Sequence, residues 1–342
     1  MLTSLRDNWF PHPLPEPQWR NEAPLVTIAV PAFNRPAFLE QALSSIAAQT
    51  VNIPLEVIVC DDGESGEARE VVARYSSDTF RYSKNTVTLG AVGNWNQCIA
   101  VARGKWVMVL HDDDALYPWY LECVLPHLSD DSVAVCTMTS RGQVAPRVRP
   151  PQSLPPVGSQ LVRHFLKSSM TPFPGVLFRR DVAVQLGGFD EKWGPVADYE
   201  FWYRLGCAGR IKVVRTVAAF YRISHSQWTA RIWKRMLVLT HLLRIRIAAE
   251  QFPDSPRFGR WLARFFTYRN SRRYAGRFSD RPEVLRRCLS LGRIPFAAMP
   301  SGWVWLALKI LSRMGRRPYV FERVPDSSVS SRQPVSTSGA VV

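Results

Sequence analysis

The sequence lacks any apolar run as long as a membrane span, which needs roughly 18 residues. The nearest candidate, Trp303 to Leu311, is short and contains Lys309. None of the six cysteines, at 60, 98, 123, 136, 207 and 288, has a CxxC partner or a histidine at zinc-site spacing. A zinc ribbon or a disulfide framework is therefore not expected. Cys60, Cys98 and Cys136 sit in apolar runs and read as buried thiols of a reducing compartment. No internal repeat is visible. Met1 to Glu22 is polar, Pro-rich and aromatic, without the apolar centre of a leader peptide. These absences point to a cytoplasmic protein, with at most a peripheral contact on the inner face of the plasma membrane. Acidic residues are scarce only in the last third. The first 230 positions hold 22 Lys and Arg against 22 Asp and Glu, whereas positions 231–342 hold 22 against 6 and carry the whole net charge of +16. That third is built to meet something anionic.

What is present is a regular alternation of strand and helix signals. Val26 to Val30 is a β-branched apolar run stopped by Pro31, and Leu55 to Cys60 and Trp106 to Leu110 are two more strands. Helical spacing marks Phe38 to Gln49, Glu67 to Tyr75 and Trp95 to Ala102, and Phe80 to Ser83 fits a short strand. Three strand–turn–helix units predict a mostly parallel sheet flanked by helices. Ligands of such sheets bind beyond the carboxyl ends of the strands. Pro31-Ala-Phe-Asn-Arg35, Asp61-Asp62 and Asp112-Asp113-Asp114 all fall at such ends. The Pro-rich stretch 141–157 reads as a loop beside them. Basic helical patterns follow at 230–252, 257–275, 282–291 and 300–314. The expected organisation is a Pro-rich arm at 1–24, a catalytic domain at 25–229, a basic helical region at 230–323 and a disordered tail at 324–342.

Three carboxylates at the end of one strand repel each other unless a cation sits among them. Mg²⁺ or Mn²⁺ suits one or two carboxylates with phosphate oxygens and water. A solvated acidic turn is the alternative. Asp62 offers acceptors for a base N–H or a ribose hydroxyl, or serves a plain Asp-Gly turn. Phe33 offers a ring for stacking, or packs in the core.

The ordered motifs Val30-Pro-Ala-Phe-Asn-Arg35, Val59-Cys-Asp-Asp-Gly63, Gly90-Ala-Val-Gly-Asn94, Ala102-Arg-Gly-Lys105 and Leu110-His-Asp-Asp-Asp-Ala-Leu116 resemble the family 2 glycosyltransferases of GT-A, Rossmann-like fold. Gly187-Gly-Phe-Asp-Glu191 and Asp198-Tyr-Glu-Phe-Trp-Tyr-Arg-Leu205 continue the likeness, which covers about residues 25–225. The resemblance implies transfer of a sugar from a nucleoside diphosphate, of UDP or dTDP type, to a carbohydrate or lipid-linked hydroxyl, with inversion. Pro31 and Phe33 would line the nucleobase pocket, Asp62 would hold the base or ribose, and Arg35 and Asn94 belong to the same donor site. Asp113 would bind Mg²⁺ or Mn²⁺ directly, with Asp112 toward the ribose or behind the metal and Asp114 sharing the ion. His111 stands where many members have Asp. Asp198 would be the catalytic base, although Ala197 replaces a usual Glu. Gly188 would let the backbone approach the donor closely, and Arg222 and His225 would meet the diphosphate or the metal. Polysaccharide or O-antigen assembly is the expected setting.

A basic amphipathic stretch at 300–320, with Trp303 and Trp305 near Arg313, Arg316 and Arg317, suits an anionic membrane surface. Specific nucleic-acid binding is not expected, since no zinc finger, RNA-binding sheet signature or helix-turn-helix pattern occurs. A nucleotidyltransferase that forms nucleotide sugars is the rival on the same fold. It would need a Gly-rich basic loop after the first strand, which Pro31 to Arg35 is not.

Overall fold

A computed structural model describes residues 24–75, 79–169, 173–223, 228–275 and 319–321. The expectations for the N-terminal arm, for His225, for the helical patterns at 282–291 and 300–314 and for the tail lie outside the described residues.

The first half builds the expected units: β1 (Val26–Ala32), α1 (Pro36–Ala47), β2 (Leu55–Asp61), α2 (Glu67–Ala73), β3 (Phe80–Lys84), α3 (Gly90–Val101) and β4 (Trp106–Val109). β3, β2, β1 and β4 lie side by side, all parallel. Alternation along each strand feeds two cores. Ala29, Ile58, Val107 and Val109 face one. Ile28, Val30, Val57, Val59 and Met108 face the other. Both faces are covered, so these strands read as continuous apolar runs.

β1 continues two residues past the predicted stop, through Pro31. The Ala29 carbonyl accepts from Leu110 on the β4 side, and the Ala32 carbonyl accepts from Asp62 on the β2 side. Alternation therefore turns the missing Pro31 donor toward β4, whose ladder ends at Ala29 opposite Val109. Proline is tolerated there because it stands where that ladder ends, so the donor it lacks costs only the terminal bond toward Leu110.

Beyond β4 the sheet is mixed. β5 (Ala115–Leu116), α4 (Tyr120–Val124), β6 (Ser132–Gly142), β7 (Val157–Gln160), β8 (Val176–Arg179), α5 (Arg180–Gln185), α6 (Ala197–Ala208) and β9 (Arg210–Arg222) follow in order. β8 is antiparallel to both β4 and β6, and β9 is parallel to β6. The Pro-rich segment between β6 and β7 carries no regular element.

The chain then forms α7 (Trp228–Gln251) and α8 (Pro256–Ala275). Leu243, Ile247, Phe258, Leu262 and Phe266 are buried in the same core as Phe165, Tyr199 and Tyr203. Arg244, 2% exposed, donates to the carbonyls of Leu166 and Lys167. The rim opposite the strand carboxyl ends is pinned by buried Glu56. It accepts from the Thr27 hydroxyl at 2.6 Å and the Arg103 backbone at 2.8 Å, and pairs with Arg81.

Candidate active site

Because β1, β2 and β4 are adjacent and parallel, the residues following them share one rim. Arg35, just before α1, reaches across to the residues after β4. Its Nε donates to Asp112 Oδ2 at 3.1 Å, its Nη2 to Asp112 Oδ1, and its Nη1 to Asp113 Oδ2 at 2.8 Å. The Phe33 backbone N–H also points at Asp112. Asp112 is fully buried, and burial lifts its carboxyl to about 7. Arg35 opposes that rise and Asp113 adds to it. Burial alone would lower the Arg35 guanidinium, but the two carboxylates outweigh it and hold it raised.

Asp114, 1% exposed, accepts from the Arg222 backbone N–H through Oδ1 at 2.9 Å. Its Oδ2 is buried without a hydrogen-bond partner. Burial, and then Asp113, push this carboxyl well upward. His111 is pushed down to about 4 by burial, against the pull of Asp113, so the ring is neutral at pH 7. Ligand atoms of His111, Asp113 and Asp114 lie within 4.8 Å of one another. Two carboxylates, a neutral imidazole and an unpartnered buried oxygen fit a divalent cation. Arg222 completes the turn: its Nε donates to the Asp113 carbonyl at 2.7 Å, Nη1 to Gln143 in the Pro-rich segment, and Nη2 to Gln41. Arg222 is thus brought to the acidic turn, where it braces the backbone.

Pro31 is buried within β1, while Phe33 is 50% exposed beside Asp112. Asp62 is buried and works as a remote helix cap. Its Oδ1 accepts from Leu89 N–H at 2.8 Å and its Oδ2 from Gly90 N–H at 2.9 Å, at the start of α3. Asn85 bridges Asp62 to Asn94, and Asn94 donates to the Cys60 carbonyl. Asp62 and Asn94 therefore tie β2, β3 and α3 together behind the rim. A small recess is lined by Asn34, Arg35, Asp61 and Ser65.

Gly187 and Gly188 both adopt left-handed φ, of 78° and 67°. A Cβ on Gly188 would stand 2.5 Å from Asn96 Oδ1. Asn96 clasps Phe189 from both sides, accepting its N–H at 2.8 Å and donating to its carbonyl at 2.9 Å. Arg204 binds the carbonyls of Leu186 and Gly188 at 2.6 Å and pairs with buried Glu200. The glycines serve a tight turn that delivers Asp190, whose carboxylate caps the 3₁₀ segment Glu191–Val196.

Asp198 follows in the first turn of α6. Its carboxyl retains partial exposure but is densely surrounded, and burial raises it to about 6 against the Tyr199 backbone N–H. Trp202 lies one turn on, at i+4, on the same helix face. Trp202 packs on Phe173, Phe173 packs on His111 at 4.4 Å between centroids, and Trp95 stacks on His111 at 5.4 Å. An aromatic wall thus joins the Asp198 face of α6 to the acidic turn after β4. Asn96 and this wall had no local sequence signal: Asn96 meets Phe189 93 positions on, and the wall's contacts join residues 16 to 62 positions apart. His111 was visible as a departure from an all-acid motif.

The sequence profile described as glycosyl transferase family 2 matches residues 27–187. This segment belongs to glycosyl transferase family 2. An uncharacterised protein of Mycobacterium tuberculosis is 30% identical over 198 residues, 53% of this chain and 62% of that one. A hyaluronan synthase of Pasteurella multocida is 26% identical over 214 residues, 61% of this chain but 21% of the synthase. The chain thus spans less than two thirds of the length of each of these two relatives. Among solved structures, residues 1–349 of Staphylococcus aureus TarS with UDP-GlcNAc align at a TM-score of 0.60 and 16% identity, covering 86% of this chain and 87% of that one. A Pyrobaculum calidifontis mannosyltransferase with GDP-Man and Mn²⁺ aligns at 0.51 and 18%, covering 87% and 82%. At such identities the likeness is one of fold, and the fold of this chain is GT-A.

Proposed function

We propose that this chain is a metal-dependent, inverting glycosyltransferase. It moves a sugar from a UDP- or dTDP-type donor to a hydroxyl of a carbohydrate or lipid-linked acceptor, in assembly of a bacterial surface polysaccharide or O-antigen. The observation that carries this reading is the buried turn after β4, where Asp113 and Asp114 converge and Asp114 Oδ2 lacks a partner. Asp113 and Asp114 would hold Mg²⁺ or Mn²⁺, with Asp112 turned by Arg35 toward the donor side. A divalent ion bound there offsets the charge gathering on the leaving diphosphate, an effect of several kcal/mol in the transition state. The TarS complex with UDP-GlcNAc, the mannosyltransferase with GDP-Man and Mn²⁺, and the hyaluronan synthase support the donor class, the metal and the polymer setting in turn.

The chain's own residues do the rest. The exposed Phe33 ring, beside Asp112, offers a stacking face for the nucleobase, with Pro31 beneath it in the strand. Asp62 and Asn94 hold the wall of that pocket. Asp198 takes the proton of the acceptor hydroxyl, a role worth roughly 10²–10⁴-fold. A carboxyl near 6 is ionised at neutral pH yet basic enough for that task. One displacement opposite the leaving group inverts the anomeric centre without a covalent intermediate. On α8, Arg257, Arg260 and Arg264 are exposed at helical spacing while Phe258, Leu262 and Phe266 are buried. This basic face suits an anionic membrane, where a lipid-linked acceptor is presented.

A donor screen with purified protein and Mn²⁺ or Mg²⁺, read by released nucleoside diphosphate and by the anomeric configuration of the product, tests the reading. Metal-dependent release with an inverted product is expected. Release at full rate in excess chelator would overturn the metal dependence, and a retained configuration would overturn the single displacement.

A further inference from the structure

We infer that His111 is itself a ligand of the divalent ion, and that the site thereby takes a first-row transition ion such as Mn²⁺ in preference to Mg²⁺. The inference rests on the metal-dependent reading above and narrows it. Four observations carry it.

The first is which groups converge. His111, Asp113 and Asp114 place ligand atoms within 4.8 Å of one another. Asp112 is already held by three donors, two from Arg35 and the Phe33 backbone.

The second is a gap. His111 Nδ1 and Asp114 Oδ2 are 3.9 Å apart, too far for a hydrogen bond. Two metal–ligand bonds of roughly 2.0–2.1 Å span up to about 4 Å. Asp114 Oδ2 is buried and unpartnered, a costly arrangement for a carboxylate oxygen unless something arrives to meet it.

The third is rigidity. The imidazole is stacked on Trp95, with 24° between the planes, and lies 4.4 Å from Phe173 between centroids. A ring locked by packing loses little freedom when it binds an ion.

The fourth is donor chemistry. Mg²⁺ takes oxygen donors and keeps several waters, whereas an imidazole beside two carboxylates suits a first-row transition ion. An aspartate at position 111 would have made an all-oxygen site.

The test uses the full chain stripped of metal. Mn²⁺ binding is followed by electron paramagnetic resonance with Mg²⁺ as competitor, and nitrogen coupling to bound Mn²⁺ by electron spin-echo modulation. Wild type should show imidazole nitrogen coupling and bind Mn²⁺ about tenfold or more tighter than Mg²⁺. His111→Asp, checked for folding by circular dichroism, should lose the coupling and move the Mn²⁺-to-Mg²⁺ ratio toward Mg²⁺ by about tenfold or more. Should that variant fail to fold, His225→Ala decides: persistent coupling supports His111, and lost coupling overturns it. Coupling that survives His111→Asp comes from another histidine and overturns the inference. Wild-type Mn²⁺ binding that Asp113→Asn abolishes, without nitrogen coupling, removes His111 but leaves the metal-dependent reading standing. Failure of wild type to bind either ion removes both.

Discussion

Burial sets the proton chemistry at single residues here. The Asp198 carboxyl is lifted to about 6 because water is scarce around it, and in the proposed role of base it must be ionised to take the acceptor's proton. Rate should therefore climb by about tenfold per pH unit below 6 and level off above it. A kcat/KM profile between pH 4.5 and 8 at saturating metal checks this, and a flat profile through pH 6 would contradict it. For stability the sign runs the other way: an acid whose folded value lies above its unfolded one is easier to ionise in the unfolded chain. That cost grows as pH rises from about 4 to 6 and is fully present at pH 7. Arg35 illustrates the same physics with a partner. Arg35→Gln leaves Asp112 and Asp113 without their guanidinium, so the metal-free protein should lose about 1–3 kcal/mol, discounted because Arg35 is one-third exposed. Thermal unfolding should show the drop, and added Mn²⁺ should restore most of it. A drop that metal leaves untouched would place the carboxylates elsewhere than at the ion.

Elements are positioned by contacts that local sequence does not display. α3 begins at Gly90, five residues before its predicted start at Trp95. Glycines at 90 and 93 hide the first turn, and the cap comes from Asp62, 28 positions upstream. Pro31 reads as a strand stop because it lacks a ladder donor, and only the register shows that the gap falls toward β4 at the end of its ladder while pairing with β2 runs on. The strands, their parallel order and the gathering of acids at one rim were legible, because continuous apolar runs and strand-end polar motifs are local signals. Roles inside the rim were less so. Asp62, read as a ligand or a plain Asp-Gly turn, caps α3 instead, and Gly188, read for a close backbone approach, sits in a tight turn against Asn96. The Gly188 turn predicts a cost: Gly188→Ala meets Asn96 at 2.5 Å in a left-handed conformation and should lose about 1–3 kcal/mol. Urea denaturation measures it, and an unchanged midpoint would show that the Asn96 clasp does not hold this turn.

At the scale of the whole molecule, charge and core are divided differently along the chain. Net charge changes at about residue 230, but the core does not: α7 and α8 bury Leu243, Ile247, Leu262 and Phe266 in one core with Phe165, Tyr199 and Tyr203. Arg246 reaches back to Glu200, and Tyr203 to Glu250. α7 and α8 are thus part of one packed body, and α8 carries exposed arginines at 257, 260 and 264. Vesicle flotation should show binding to anionic but not zwitterionic liposomes, weakening as salt rises. Absence of flotation at low salt would remove the membrane contact. The central claim is that two groups of carboxylates divide the work, the turn after β4 gripping the donor and α6 supplying the base. The most direct measurement compares donor binding and turnover in Asp113→Asn and Asp198→Asn side by side, by calorimetry and nucleoside diphosphate release. Asp113→Asn should lose binding and turnover together, whereas Asp198→Asn should bind donor as wild type does and lose transfer by roughly 10²–10⁴-fold. Full transfer activity in Asp198→Asn, or undiminished metal-dependent donor binding in Asp113→Asn, would contradict it.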